Sequence, residues 1–306
     1  MLPILILAAL AGDLEFRHVA TYGSKNGIHP PKVLNRRAPK AAVGESEHPY
    51  GLGYPTAVVT DSKDRIWIAD SGTSSIHVFD PQTGGYREIR RVGDTTLSQP
   101  SGLAIDRQGY IYVTDTAAGA VYAFDPSGEF DRSLIPRKSG KILEGPTNIA
   151  ASEDGRILFV ADPPRKTILA LNREGESIGT IGPIEPISIA VAGNELLALD
   201  GPTRQVNVFS FSGLFRRKLE WDEVRLPSAI AYDRPRGFFF VSNPRWMVVD
   251  VFASEGKNLT AFGRYGDAVE QMKSVTALWV APNGTVFVID SQGGKILVFA
   301  SCPAER

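Results

Sequence analysis

Cysteine is all but missing from this chain: Cys302, near the C-terminus, is the only one. A single thiol closes no intramolecular disulfide and builds no cysteine-based metal site. Histidine is scarce too, with His18, His29, His48 and His77 making up the whole set. Neither sign of charge dominates, since 33 basic and 34 acidic side chains leave a formal net charge of −1. A balance of that kind gives no global pull toward nucleic acid or an anionic membrane. Long hydrophobic runs are absent apart from Leu2–Ala11 (LPILILAALA), which is too short to span a bilayer. That segment has the length of a signal-peptide core and ends in the small-x-small triplet Ala9-Leu10-Ala11, although no Lys or Arg precedes it. We therefore expect residues 1–11 to be a signal peptide and the protein to be periplasmic or secreted. A G-x-S-x-G elbow, a phosphate loop and a G-x-G-x-x-G turn are also missing.

What the chain does have is glycine and proline, 30 and 21 of its 306 residues, which suits a fold that turns every few residues. It also has an internal repeat. The strings DSGTSSIHVF from Asp70, DTAAGAVYAF from Asp115, DPPRKTILAL from Asp162, DGPTRQVNVF from Asp200, NPRWMVVDVF from Asn243 and DSQGGKILVF from Asp290 share one pattern. A β-branched residue falls six positions after each anchor and a large apolar residue three further on. The anchors step by 45, 47, 38, 43 and 47 residues. Two short strands precede each anchor, and a glycine-bearing turn and a further strand follow the third. Pro55, Pro100, Pro146, Pro186 and Pro227 open the first strand of five copies, where no ladder donor is yet needed, and Val275 opens the sixth.

Six copies of four antiparallel strands predict an all-β, six-bladed β-propeller over residues 12–306, with blades from about 55, 100, 146, 186, 227 and 275. The last copy runs out after its third strand, near Ala300. Glu15–Gly23 (EFRHVATYG) resembles the fourth strand of the fifth copy, Leu259–Gly266 (LTAFGRYG), so the N-terminal strand is expected to close the ring and leave no open edge. Ser301–Arg306 reads as a dispensable tail. Residues 24–54 form a long loop between the closing strand and the first full blade.

The copy from Pro100 to Phe130, PSGLAIDRQGYIYVTDTAAGAVYAFDPSGEF, resembles the NHL-repeat family almost throughout. The resemblance spans nearly the whole chain and implies the propeller fold, but one fold carries many functions. The family's basic residue before the third strand is mostly replaced, by Ser75, Ala120, Thr167, Gln205 and Val248, and only Lys295 matches it.

Chemistry-bearing residues are few. The anchors Asp70, Asp115, Asp162, Asp200, Asn243 and Asp290 recur in every blade, which points to turn-capping by Asx-type hydrogen bonds. Regucalcin-like lactonases of six-bladed form hold a divalent cation at the openings of their innermost strands. Here those openings offer only Asn148 as an oxygen ligand, and one neutral ligand does not hold a hard cation. Amidating-lyase relatives bind zinc with histidines from separate blades. His18 and His77 fall on outer strands by this reading, and His29 and His48 share the long loop with no third ligand. No catalytic residue, metal or cofactor is expected. Trp67 and Trp279 read as core.

The loops that vary most are the inter-blade links and the turns joining second to third strands, which a propeller places on one face. They carry Arg165, Lys166, Arg204, Arg245 and Trp246, with Trp221 and Tyr265 in the links and Arg36 and Arg37 in the long loop. Exposed Arg beside Trp or Tyr is the composition of interaction hot spots. The expectation is an exported, non-catalytic scaffold that binds a protein, glycan or anionic ligand on that face. The alternative is a propeller hydrolase or lyase with a divergent site. Intracellular RNA binding, known for some NHL relatives, fits the balanced charge poorly.

Overall fold

The computed structural model describes residues 14–23, 51–135, 142–221 and 224–303. The expected signal peptide and the loop residues 24–50, with His29, Arg36, Arg37 and His48, lie outside them.

Six four-stranded antiparallel sheets form the six blades of a propeller. Their inner strands are Pro55–Thr60, Pro100–Ile105, Asn148–Ala151, Pro186–Ala192, Ile230–Asp233 and Val275–Val280. Each inner strand touches the next, and the sixth touches the first, so the ring is closed. Apart from the strands there is one short 3-10 turn among the described residues, Pro163–Arg165.

The second and third strands read as unbroken hydrophobic runs because both faces of every blade are covered. In Ile66–Asp70 the pleat sends Trp67 and Ala69 toward blade 2, while Ile66 and Ile68 point toward blade 6. Blade 3 repeats this, with Phe159 and Ala161 facing blade 4 and Leu158 and Val160 facing blade 2. The core is accordingly six wedges, one at each junction between neighbouring blades. Trp67 fills the first wedge with no solvent exposure and meets Phe124 edge-on at 5.4 Å. Emptying such a position costs about 3–5 kcal/mol.

The closing strand, Leu14–Tyr22, pairs antiparallel with Lys295–Pro303 and becomes the outer strand of blade 6. Phe16 stacks on Phe262 of blade 5 at 4.7 Å, and Tyr22 meets Phe79 of blade 1 at 5.2 Å. One strand therefore packs against both neighbouring blades. The blade's third strand runs further than the repeat suggested. Ser301, Cys302 and Pro303 pair with Phe16, Glu15 and Leu14, so this part of the expected tail belongs to the sheet.

A second device joins the blades. Thr56 Oγ1 donates to Pro100 O at 3.2 Å and Ser101 Oγ to Pro146 O at 3.0 Å. Ser228 Oγ donates to Val275 O and Ser291 Oγ to Pro55 O, both at 2.5 Å. In blades 1, 2 and 5 the hydroxyl follows the opening proline, and in blade 6 it follows the anchor Asp290.

Candidate functional site

The anchors grip the links. Asp70 accepts from the main-chain N–H of Gly53 (2.7 Å) and Tyr54 (2.8 Å), and Asp115 from Ser98 and Gln99. Asp162 takes Glu144 and Gly145, Asp290 takes Lys273 and Ser274, and Asp200 takes Glu185. Each carboxylate also caps its own turn or lies beside it, as Asp70 does with Gly72 and Thr73. Asn243 differs, donating from Nδ2 to Asp250 at 2.8 Å. Links and second-to-third-strand turns consequently sit together on one face, referred to below as the link face.

His77 does not stand on an outer strand. It lies in the third strand of blade 1, fully buried, with Nδ1 2.6 Å from the Tyr86 hydroxyl. Its Nε2 is 3.0 Å from Thr73 Oγ1, 3.1 Å from Ser75 Oγ and 3.5 Å from Asp70. Serine and aspartate approach the same ring nitrogen, so this is a packing network and not a nucleophile–base–acid relay. Burial alone would raise the Asp70 pKa. The bonds from His77 and the two link N–H groups outweigh it and hold the carboxyl below its ordinary value. His18 does lie on the outer closing strand, half-buried, and desolvation lowers its pKa. Lys295, the one match to the repeat's basic position, is buried and donates to Ala268 O at 2.9 Å.

The expected partner-binding side chains separate into groups. Arg165 pairs with Glu144 at 3.9 Å and Lys166 with Glu185 at 2.6 Å. Arg204 donates to Pro227 O at 3.3 Å. Trp221 stacks on Phe252 at 4.9 Å and is half-buried, plugging the end of the wedge between blades 4 and 5. Trp246 and Tyr265, in contrast, are 62% and 68% exposed, and the Arg245 guanidinium lies 5.1 Å from the Trp246 ring centroid. Tyr54, Ile142, Leu226 and Val269 are also exposed on this face, so it holds six of the ten exposed large apolar side chains among the described residues.

Along the propeller axis runs a cavity of about 490 Å³, lined by the inner strands of all six blades. It reaches the opposite face, where first strands turn into second strands. Trp279, expected in the core, is only half-buried and forms part of the wall, its Nε1 donating to Thr60 Oγ1 at 3.2 Å. Asn148, the one candidate ligand at the strand openings, also lines it. Among the described residues no group of three or more His, Cys, Asp or Glu side chains is placed to hold a metal ion. Nor is any helix there long and apolar enough to cross a membrane.

Sequence reasoning missed the mouth of this cavity. Within two residues of the end of the first strand stand Ser62, Arg107, Glu153, Arg234 and Pro282 in five blades, and all five line the mouth. The shared dipeptide Asp-Arg in IDRQG and YDRPRG was the available signal.

The NHL-repeat family model matches residues 52–79, the end of the first link and the first three strands of blade 1. None of the curated proteins matches the chain by sequence. Among solved structures, a streptogramin B lyase is 13% identical, with 81% of this chain and 79% of that one covered and a TM-score of 0.59. A catalytically inactive virginiamycin B lyase from Staphylococcus aureus, solved with quinupristin, is 13% identical over 83% of each chain, with a TM-score of 0.60. A gluconolactonase from Xanthomonas campestris is 16% identical over 82% of this chain and 87% of that one, with a TM-score of 0.65. At these identities the likeness is one of fold.

Proposed function

The chain is an NHL-repeat six-bladed β-propeller, and from that premise we propose that it is a rigid, non-catalytic scaffold that docks a protein partner on its link face. The observation that carries this reading is the gathering of Tyr54, Ile142, Leu226, Trp246, Tyr265 and Val269, all exposed, on that one face. Exposed apolar surface of this kind marks interaction sites, and aromatic side chains with arginine dominate their energetics. Arg165 and Lys166 are answered by Glu144 and Glu185, so the face offers more apolar surface than net charge. That favours a protein over an anionic ligand. The Leu2–Ala11 segment supports a place outside the cytoplasm for this encounter.

The test is affinity capture from an extract of the native host, with the wild type and the Arg245→Ala/Trp246→Ala double variant side by side. The double variant is expected to lose partners that the wild type retains while melting at the same temperature. Recovery of the same partners by both would put the working surface elsewhere. The lyase and lactonase propellers share this fold, and an enzymic reading accommodates that likeness equally. Metal content and lactonase or lyase turnover of the purified protein separate the two, since stoichiometric metal with turnover belongs only to the enzyme.

A further inference from the structure

We infer that the axial cavity is a binding site for an amphiphilic monocarboxylate, with its apolar body along the inner strands and its carboxylate at the mouth beside Arg234 and Arg107.

The wall sets the body of the ligand. At about 490 Å³ the cavity falls in the range that holds small molecules. Ile105, Ala190, Tyr232, Ala277, Leu278 and Trp279 lie on inner strands yet remain only half-buried, and all six line the cavity. Two hydroxyls on the wall are engaged already. Thr60 Oγ1 accepts from Trp279, and Ser188 Oγ accepts from Ile230 N at 3.2 Å. Water is held firmly where it finds two to four polar partners, which the apolar stretch from Ile105 to Leu278 and Trp279 does not offer. An apolar guest gains by covering it.

The mouth sets the head group. Five charged side chains line the cavity: Asp61, Asp106, Arg107, Glu153 and Arg234. Two of them are satisfied internally. Asp61 is held by Arg65 at 2.6 Å and by the Trp67 indole at 3.0 Å. Asp106 is held by Arg173 at 3.0 Å and by the Tyr112 hydroxyl at 2.9 Å. Two arginines and one glutamate remain, an excess of one positive charge that matches a monoanion.

Arg234 is the better placed of the two. It leaves blade 5 and reaches blade 3, where Nη2 donates to Ala151 O at 3.2 Å. Although Arg234 is exposed as a residue, the surrounding wall desolvates its guanidinium and holds its pKa below the ordinary arginine value, a pull that Glu153 opposes. A guanidinium carries five donors in a fixed fork that suits a carboxylate, and the Ala151 bond uses one. Arg107 stands at the equivalent position of blade 2 and has no ion-pair partner among the described residues.

The probes are dodecanoate and its uncharged analogue dodecan-1-ol, titrated calorimetrically below their aggregation limits. Wild type is expected to bind one dodecanoate saturably. Arg234→Gln should weaken dodecanoate at least about tenfold while leaving dodecan-1-ol unchanged, because only the charge-assisted pair is lost. Ala190→Leu narrows the cavity and should weaken both probes. If it fails to fold, Ala277→Val takes its place. Trp246→Ala, on the other face, should bind dodecanoate as wild type does. No saturable binding by wild type, equal affinity in Arg234→Gln, or loss in Trp246→Ala would each overturn the assignment.

Discussion

The two faces of this propeller are finished with the same residue type in different ways. On the link face, Asp70, Asp115, Asp162 and Asp290 each bind a pair of main-chain N–H groups in the preceding link. Carboxylates used in this way fix the path of the backbone and leave the side chains of the links free to vary. On the opposite face, Asp61 and Asp106 cap their turns and also hold an arginine and an aromatic polar group. There the charges are consumed locally, within blade 1 for Asp61 and Arg65 and between blades 2 and 3 for Asp106 and Arg173. The link face therefore keeps apolar surface over, and the opposite face keeps two arginines at a cavity mouth. A repeat standardises whatever holds each blade to the next, and it releases the positions that do not.

The harshest way to break the comparison is to remove what both faces depend on. Deleting residues 12–23 strips blade 6 of its outer strand and takes Phe16 and Tyr22 from two neighbouring wedges. We expect loss of the cooperative thermal transition and aggregation through the exposed strand edge. A shortened protein that melts as the full chain does would refute the closing role. Truncation after Ala300 should also destabilise, because Ser301–Pro303 pair with Leu14–Phe16.

A smaller break isolates one anchor. Asp70→Ala leaves the N–H groups of Gly53, Tyr54, Gly72 and Thr73 without their acceptor and should cost about 3 kcal/mol. The readout is the urea midpoint at neutral pH. The same carboxyl gives a pH signature. Its folded pKa lies below the ordinary aspartate value of about 3.9, so its contribution is fully present above that value. The contribution is lost as pH falls through the folded pKa. Stability should drop below about pH 4, and Asp70→Asn should drop less steeply. Parallel acid profiles for the two proteins would remove Asp70 from the account.

How legible this molecule was in its sequence follows from the same division. The anchors, the four-strand repeat and the closing strand could be read because every blade must meet the same demand of covering both faces and gripping the next link. Trp221 and Trp246 could not be told apart. Both lie in variable loops, and what separates them is Phe239 and Phe252, brought under Trp221 only by the packing of blade 5. His77 was displaced outward because its partners Tyr86 and Asp70 come from flanking strands. The cavity mouth needs the ring itself, since Arg107 and Arg234 are 127 residues apart in sequence and come to one cavity only when the ring closes.

The mildest break compares those two tryptophans. Trp221→Ala removes a half-buried ring stacked at 4.9 Å on Phe252 and should cost about 2 kcal/mol of stability, below the range for a fully enclosed aromatic. Trp246→Ala removes a ring that is mostly in solvent and lies against the adjacent Arg245, so stability should stay within about 0.5 kcal/mol of wild type. Partner capture should respond in the reverse order: Trp246→Ala loses it, while Trp221→Ala keeps it at temperatures where the fold is intact. The two measurements together distinguish a plug from an anchor, because a plug acts on the melting curve and an anchor on the partner. If Trp246→Ala lowers the melting temperature as far as Trp221→Ala does, Trp246 is holding blade 5 together, and the exposed apolar surface of the link face loses its central residue.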